Sequence, residues 1–178
     1  MKRVFVLCLL LLLVFPLCAS TFLGDIGLRI GHGSFVAHDG DYGLNILGGV
    51  SLGLTERIEL NVEAITELAP SPFSEVAVGT EIGYSILGNR TNADKNAGFY
   101  MNTIISAGFF FSDHSGVFAP TYLTLRITPL SMGTPHTGHR QSLLPIGVAW
   151  NFRENTFSVF LSLTIYDHYI KGSWRDLR

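Results

Sequence analysis

Between Tyr42 and Leu54 the chain places large apolar residues at nearly every second position. Tyr42, Leu44, Ile46, Val50, Leu52 and Leu54 share one face, interrupted only by Gly48, while Gly43, Asn45, Leu47, Gly49, Ser51 and Gly53 share the other. A period of two predicts a β-strand with one apolar face and one small or polar face. The segment is longer than the soluble strand mode of about 5–6 residues. Alternation breaks at Thr55-Glu56-Arg57 and resumes with Ile58, Leu60, Val62 and Ala64, opposite Glu59, Asn61 and Glu63. Two alternating runs joined by a tight turn predict a hairpin.

The same alternation recurs along the chain. Ile26, Leu28 and Ile30 alternate with Asp25, Gly27, Arg29 and Gly31; Val76, Val78, Ile82, Tyr84 and Ile86 with Glu75, Ala77, Gly79, Glu81, Gly83 and Ser85. Further runs hold Met101, Ile105, Phe109 and Phe111; Leu123, Leu125 and Ile127; Ile146, Val148, Trp150 and Phe152; and Phe157, Val159, Leu161, Leu163 and Ile165. The prediction is eight antiparallel strands, the last ending at Tyr166. Residues 33–41, 66–72, 88–97, 112–120 and 131–141 collect Gly, Pro, Asn, Asp and Ser and read as loops, with a tight turn at Arg153-Glu154-Asn155. No amphipathic helix is visible.

The charged residues decide which face meets which solvent. Asp25, Arg29, Glu59, Glu63, Glu75, Glu81 and Arg126 all fall on the small, polar side, and the apolar faces carry almost no charge. A soluble sandwich turns its bulky face inward and its polar face to water. Here the polar faces are too rich in Gly, Ser, Asn, Thr and Ala to cover a soluble surface in the usual way. In hydrocarbon, strands cross only as a closed barrel, because every backbone polar group needs a partner. Eight strands leave an interior just wide enough to be filled by side chains. The charged residues are therefore expected to pair inside, with Arg29 and Arg126 serving Glu59, Glu63, Glu75 and Glu81. Aromatic residues at the ends of the runs (Phe22, Tyr42, Phe73, Phe99, Phe118, Trp150, Phe152 and Tyr166) read as interfacial girdles. A soluble lipocalin-like barrel that binds an apolar ligand is the competing architecture.

Composition adds the compartment. Met1-Lys2-Arg3, an apolar run from Val4 to Phe15, and Cys18-Ala19-Ser20 have the three regions of a secretory signal peptide, with residues 1–20 expected to be removed. The run is short for a membrane span of about 20 residues. Both cysteines, Cys8 and Cys18, lie inside it, which leaves the mature chain without a disulfide or thiolate site. Cys18 as a lipidated N-terminus fits poorly, because Leu17 stands where a small residue is usual. Without Lys2 and Arg3 the chain carries ten basic residues against 14 acidic ones, with no basic stripe, so nucleic-acid binding has no support.

The string Gly53-Leu54-Thr55-Glu56-Arg57-Ile58-Glu59-Leu60 resembles the short periplasmic turns of bacterial outer-membrane barrels. The run from Phe157 to Tyr166 is similar to their terminal insertion strand, although residues 167–178 follow it as a tail. With the alternation, these features make the chain resemble the small outer-membrane barrels of the outer membrane protein W, X and A types. The resemblance implies an outer-membrane location, termini in the periplasm, contact with outer-membrane lipids, and insertion by the barrel-assembly machinery. It implies either porin-like passage of small apolar solutes or a structural surface role, and no family residue role is carried over.

Catalytic and metal chemistry is weakly represented. His32 and Ser34, or His114 and Ser115, offer a hydroxyl near an imidazole, but no acid is placed to orient either. A lipid-modifying barrel enzyme is the second alternative. His136-Thr137-Gly138-His139 supplies two imidazoles without a third ligand. Asn89-Arg90-Thr91 matches a glycosylation acceptor of little meaning in this setting. No catalytic, cofactor or metal residue is assigned.

Overall fold

A computed structural model describes residues 24–36, 42–69, 76–88, 100–114, 117–134 and 138–171. Residues 1–20, Phe22, Phe73, Glu75, Phe99, Ser115, His136 and the segment 89–91 lie outside the described residues. The elements are β1 (Asp25–Val36), β2 (Tyr42–Gly53), β3 (Ile58–Ala69) and β4 (Val76–Leu87). They continue with β5 (Tyr100–His114), β6 (Val117–Thr134), β7 (His139–Leu143), β8 (Ile146–Asn151) and β9 (Thr156–Lys171).

From β1 to β7 each strand pairs antiparallel with the next, β8 pairs with β9, and β1 pairs with β9 to close the sheet. β7 and β8 both lie between β6 and β9. They are two halves of one strand, so the barrel has eight staves. The break is Leu144-Pro145, where Leu144 takes a positive φ of 50° and Pro145 has no N–H to give. The ladder survives because Leu144 donates to the Leu163 carbonyl (3.1 Å) and Ser162 donates to the Pro145 carbonyl (2.8 Å). β9 answers the break with a bulge at Leu163, between the rungs His32↔Thr164 and Gly33↔Ser162.

The local chemistry fixes the turns. Thr55 Oγ1 accepts from the Arg57 and Ile58 amides (3.2 and 3.0 Å), closing the β2–β3 turn. Asn151 Oδ1 accepts from the Arg153 and Glu154 amides at the β8–β9 turn, and Asn155 takes the left-handed conformation there. Even strand number places the start of β1, the end of β9 and the Leu54–Arg57 turn at one end of the barrel, called the terminal end below.

Polarity is inverted relative to a soluble protein. Leu28, Ile30, Ile82, Leu123, Leu125, Val148 and Leu163 face outward and exposed, with Leu125 at 53 %. Arg29, Glu63, Glu81, Arg126, Arg140 and Asp167 are buried inside. A 12-residue strand rises about 40 Å, or about 28 Å along an axis tilted 45° from it, enough to cross an apolar band about 25 Å tall. The strand ends depart from the sequence reading in several places: residues 33–36, 66–69 and 112–114, read as loop, end β1, β3 and β5, and residues 117–120 open β6. β9 runs to Lys171, beyond Tyr166, so Asp167 to Lys171 belong to the wall and not to a tail. Residues 131–134 and 139–141, read as loop, are the end of β6 and the start of β7.

Candidate functional site

The interior is organised around three guanidinium groups. Arg29 projects from β1 and forms a fork with Asp167 of β9, Nε to Oδ1 at 2.7 Å and Nη2 to Oδ2 at 3.1 Å. Its Nη1 donates to Glu63 at 2.7 Å, and Nη2 reaches Glu59 at 3.4 Å. Arg140 of β7 donates to Asp167 Oδ2 from Nε (3.0 Å) and Nη2 (2.7 Å), and to Glu59 from Nη1. Arg126 of β6 donates to Glu63 (3.0 Å) and to Glu81. The charges thus alternate in one chain: Arg140, then Glu59 and Asp167, then Arg29, Glu63, Arg126 and Glu81.

Burial makes this arrangement consequential. The side chains of Arg140, Asp167 and Glu63 are 0 % exposed. An isolated ion in such surroundings is strongly disfavoured, so each charge is held by a partner of opposite sign. Neutral donors support the carboxylates. Asn61 donates to Glu59 at 3.0 Å and Thr124 to Glu81 at 3.3 Å. Asp25 is also buried among the inward residues.

Glycine makes the room. A Cβ at Gly83 would approach Glu59 Cγ to 2.8 Å, and one at Gly79 would approach the Phe110 ring to 2.6 Å. A Cβ at Gly108 would collide with Glu81 and stand 2.6 Å from Thr124 Oγ1. Beyond the network, away from the terminal end, Phe110 and Phe160 cross the lumen with Leu47 and Ile65. Between these apolar side chains and Glu63, Glu81 and Arg126 lies a cavity of about 40 Å³. One water needs about 10–15 Å³ measured this way, so the cavity holds about three waters. Glu63 Oε2 has no hydrogen-bond partner among the described residues, and Glu63 lines this cavity.

Of the sequence-derived interior residues, Arg29, Glu59, Glu63, Glu81 and Arg126 meet in one network, and Asp25 is buried inside the barrel. Arg140 and Asp167 were not among those residues, yet each joins two strands or more. The strand-like alternation of His139-Arg140-Gln141-Ser142-Leu143 was the available signal for the first. For the second, Asp167 and Tyr169 alternate with Tyr166, His168 and Ile170.

On the outer wall, Trp150 stacks on Phe157 with centroids 6.0 Å apart, and Phe152 stacks on Phe109 at 5.8 Å. Phe111 stacks on Phe118 at 5.9 Å, so these rings gather at the end opposite the termini. Tyr166 sits on the outer face of β9 nearer the terminal end, 5.2 Å from the His139 ring. Tyr42 opens β2 opposite Val36. His32 is exposed on the outer face, Ser34 pairs with Leu44 and Leu161, and His114 closes β5 opposite Val117. Among the described residues no group of three or more His, Cys, Asp or Glu is placed to hold a metal ion.

A closed eight-stave barrel with an apolar belt outside and buried charges inside defines a small β-barrel of the transmembrane class. No family model matches the chain, and no curated relative matches it. Among solved structures it is similar to a de novo designed transmembrane β-barrel, at 13% identity over 83% of this chain and 98% of that one, with a TM-score of 0.47. The designed barrel TMB2.3 is similar at 12% identity over 84% and 97%, TM-score 0.46. Neisserial surface protein A is similar at 12% identity over 81% and 96%, TM-score 0.42. At these identities no residue role transfers to this chain.

Proposed function

We propose that this protein is an integral outer-membrane barrel of a bacterial cell envelope with a structural surface role, its lumen held shut by the charged network. The observation that carries the reading is the filled interior. Three arginines and four carboxylates tie β1, β3, β4, β6, β7 and β9 together across the lumen. Phe110 and Phe160 lie beyond them, and the cavity between holds only a few waters.

In this reading residues 1–20 direct export, the assembly machinery of the outer membrane inserts the barrel, and both termini face the periplasm. Outer-membrane lipids are its main partners, and its role is non-enzymatic. The alternative from the resemblance to the outer membrane protein W, X and A types is passage of small apolar solutes. That role requires a route past Arg29 and Arg126, whose groups would have to leave their carboxylates together.

Planar-bilayer recording on the full-length refolded protein tests the reading. Insertion without resolvable conductance steps is the expected result. Stable, frequent openings by protein shown to be monomeric would overturn the closed-lumen role and favour solute passage. As a test of the non-enzymatic part, lipid turnover that disappears in Ser34→Ala would replace it with the enzyme alternative.

A further inference from the structure

The outer wall has a polar interruption where β7 passes β9. His139 and His168 are direct cross-strand partners there, one rung from the pair Arg140↔Asp167. Alternation turns Arg140 and Asp167 into the lumen and both imidazoles outward, where they are half-buried. The two rings lie 4.6 Å apart between centroids, and their Nδ1 atoms are 3.0 Å apart.

We propose that His139 and His168 form a two-imidazole site for a divalent transition-metal ion on the outer wall near the terminal end. Imidazole nitrogen binds zinc at about 2.0–2.1 Å. Two nitrogens at that distance from one ion and 3.0 Å from each other subtend about 95° at it. That angle suits square-planar coordination and a compressed tetrahedron. The ion therefore enters where the two Nδ1 atoms now face each other, without moving either strand.

The backbone on both sides is already fixed. Arg140 and Asp167, the next residues along each strand, are bound to each other by two hydrogen bonds inside the barrel. The Tyr169 amide donates to the Gly138 carbonyl at 2.8 Å, locking the other flank. A site whose ligands are held before the ion arrives loses little conformational freedom on binding. Imidazole ligands favour copper, nickel and zinc over magnesium and calcium. With two protein ligands, the remaining coordination positions stay open to water or to a lipid phosphate, so the ion is exchangeable. The sequence offered His136 and His139 without a third ligand and no metal site was assigned to them; the pairing of β7 with β9 brings His168 to His139.

The test uses untagged full-length barrel refolded in detergent micelles and titrated with Cu²⁺, then Zn²⁺, by calorimetry. Expected are one ion per barrel and a higher urea midpoint with metal, because the ion binds only when β7 and β9 are paired. Mg²⁺ should do neither. His139→Asn and His168→Asn should each weaken binding about tenfold or more, while His136→Gln leaves it unchanged; a heat-shifted gel band verifies that each variant is folded. Absence of saturable binding, or binding that survives His168→Asn, overturns the site. Loss in His136→Gln with retention in His168→Asn also overturns it, by moving the ligands to the turn.

Discussion

Replacing Arg140 by Met removes a cation from the charged chain while keeping an unbranched side chain to fill the space. Arg140 is fully buried and binds Glu59 and Asp167 together. After the substitution those two carboxylates share Arg29 as their remaining guanidinium, at 3.4 and 2.7 Å. The network falls from three cations against four carboxylates to two against four. Removing one partner of a buried pair costs about 3–5 kcal/mol, because the stranded charge remains desolvated. Arg29 still compensates in part, which puts the expected loss near the lower figure, about 3 kcal/mol. Equilibrium urea unfolding in phospholipid vesicles, read by the heat-shifted gel band and by tryptophan fluorescence, measures it. Adding Asp167→Asn to Arg140→Met brings the network back to an excess of one carboxylate, as in the parent, so the double variant should lose less than the sum of the singles by about 1 kcal/mol or more. A single-variant loss below about 1 kcal/mol, or strict additivity, would refute a desolvated, mutually dependent network.

Three other outcomes follow from the wall and its packing. Leu125→Arg, in the middle of β6 between Ala107 and Val148, should cost about 2–4 kcal/mol if that face meets lipid, but within about 0.5 kcal/mol if it meets water. Gly108→Val should lower the urea midpoint by overpacking against Glu81 and Thr124, a cost of about 1–3 kcal/mol, whereas Gly48→Ala has open space and should change little. A chain stopped after Tyr166 loses Asp167 and the closing rungs to Arg29, Leu28 and Gly27, so it should give no heat-shifted band after refolding; a stable band from it would show that closure does not need the end of β9.

The hairpin of β2 and β3 was legible in the sequence because its period of two holds on both sides of the Thr55-Glu56-Arg57 turn, with Gly48 the one gap in the apolar face. The same unbroken parity carries Arg29, Glu59, Glu63, Glu81 and Arg126 to the inner face. It fails where bulges change the face on which odd residues stand. In β9 the odd positions Phe157, Val159 and Leu161 point outward, which would send Asp167 into lipid and argues for ending the strand before it. The bulge at Leu163 inverts the parity, so Ile165, Asp167 and Tyr169 turn inward. The prolines mislead in the same way. Pro120 closes a stretch read as loop, and Pro129 and Pro145 stand outside the alternating runs, yet each lies at or beside an irregular rung where a missing N–H is tolerated. Arg140 was hidden behind such a break, in a stretch whose Gly, Pro and His content reads as loop. A bulge is set by pairing across strands, which local alternation does not record.

Everything above depends on the apolar belt facing lipid while the charges face inward. Envelope fractionation of cells making the full chain, followed by gels of boiled and unboiled samples, tests it most directly. Recovery with the outer membrane, resistance to urea extraction, and a band that shifts on boiling are the expected results. Recovery as a soluble periplasmic protein with no shift would contradict it and turn the apolar faces toward a lumen that binds an apolar ligand.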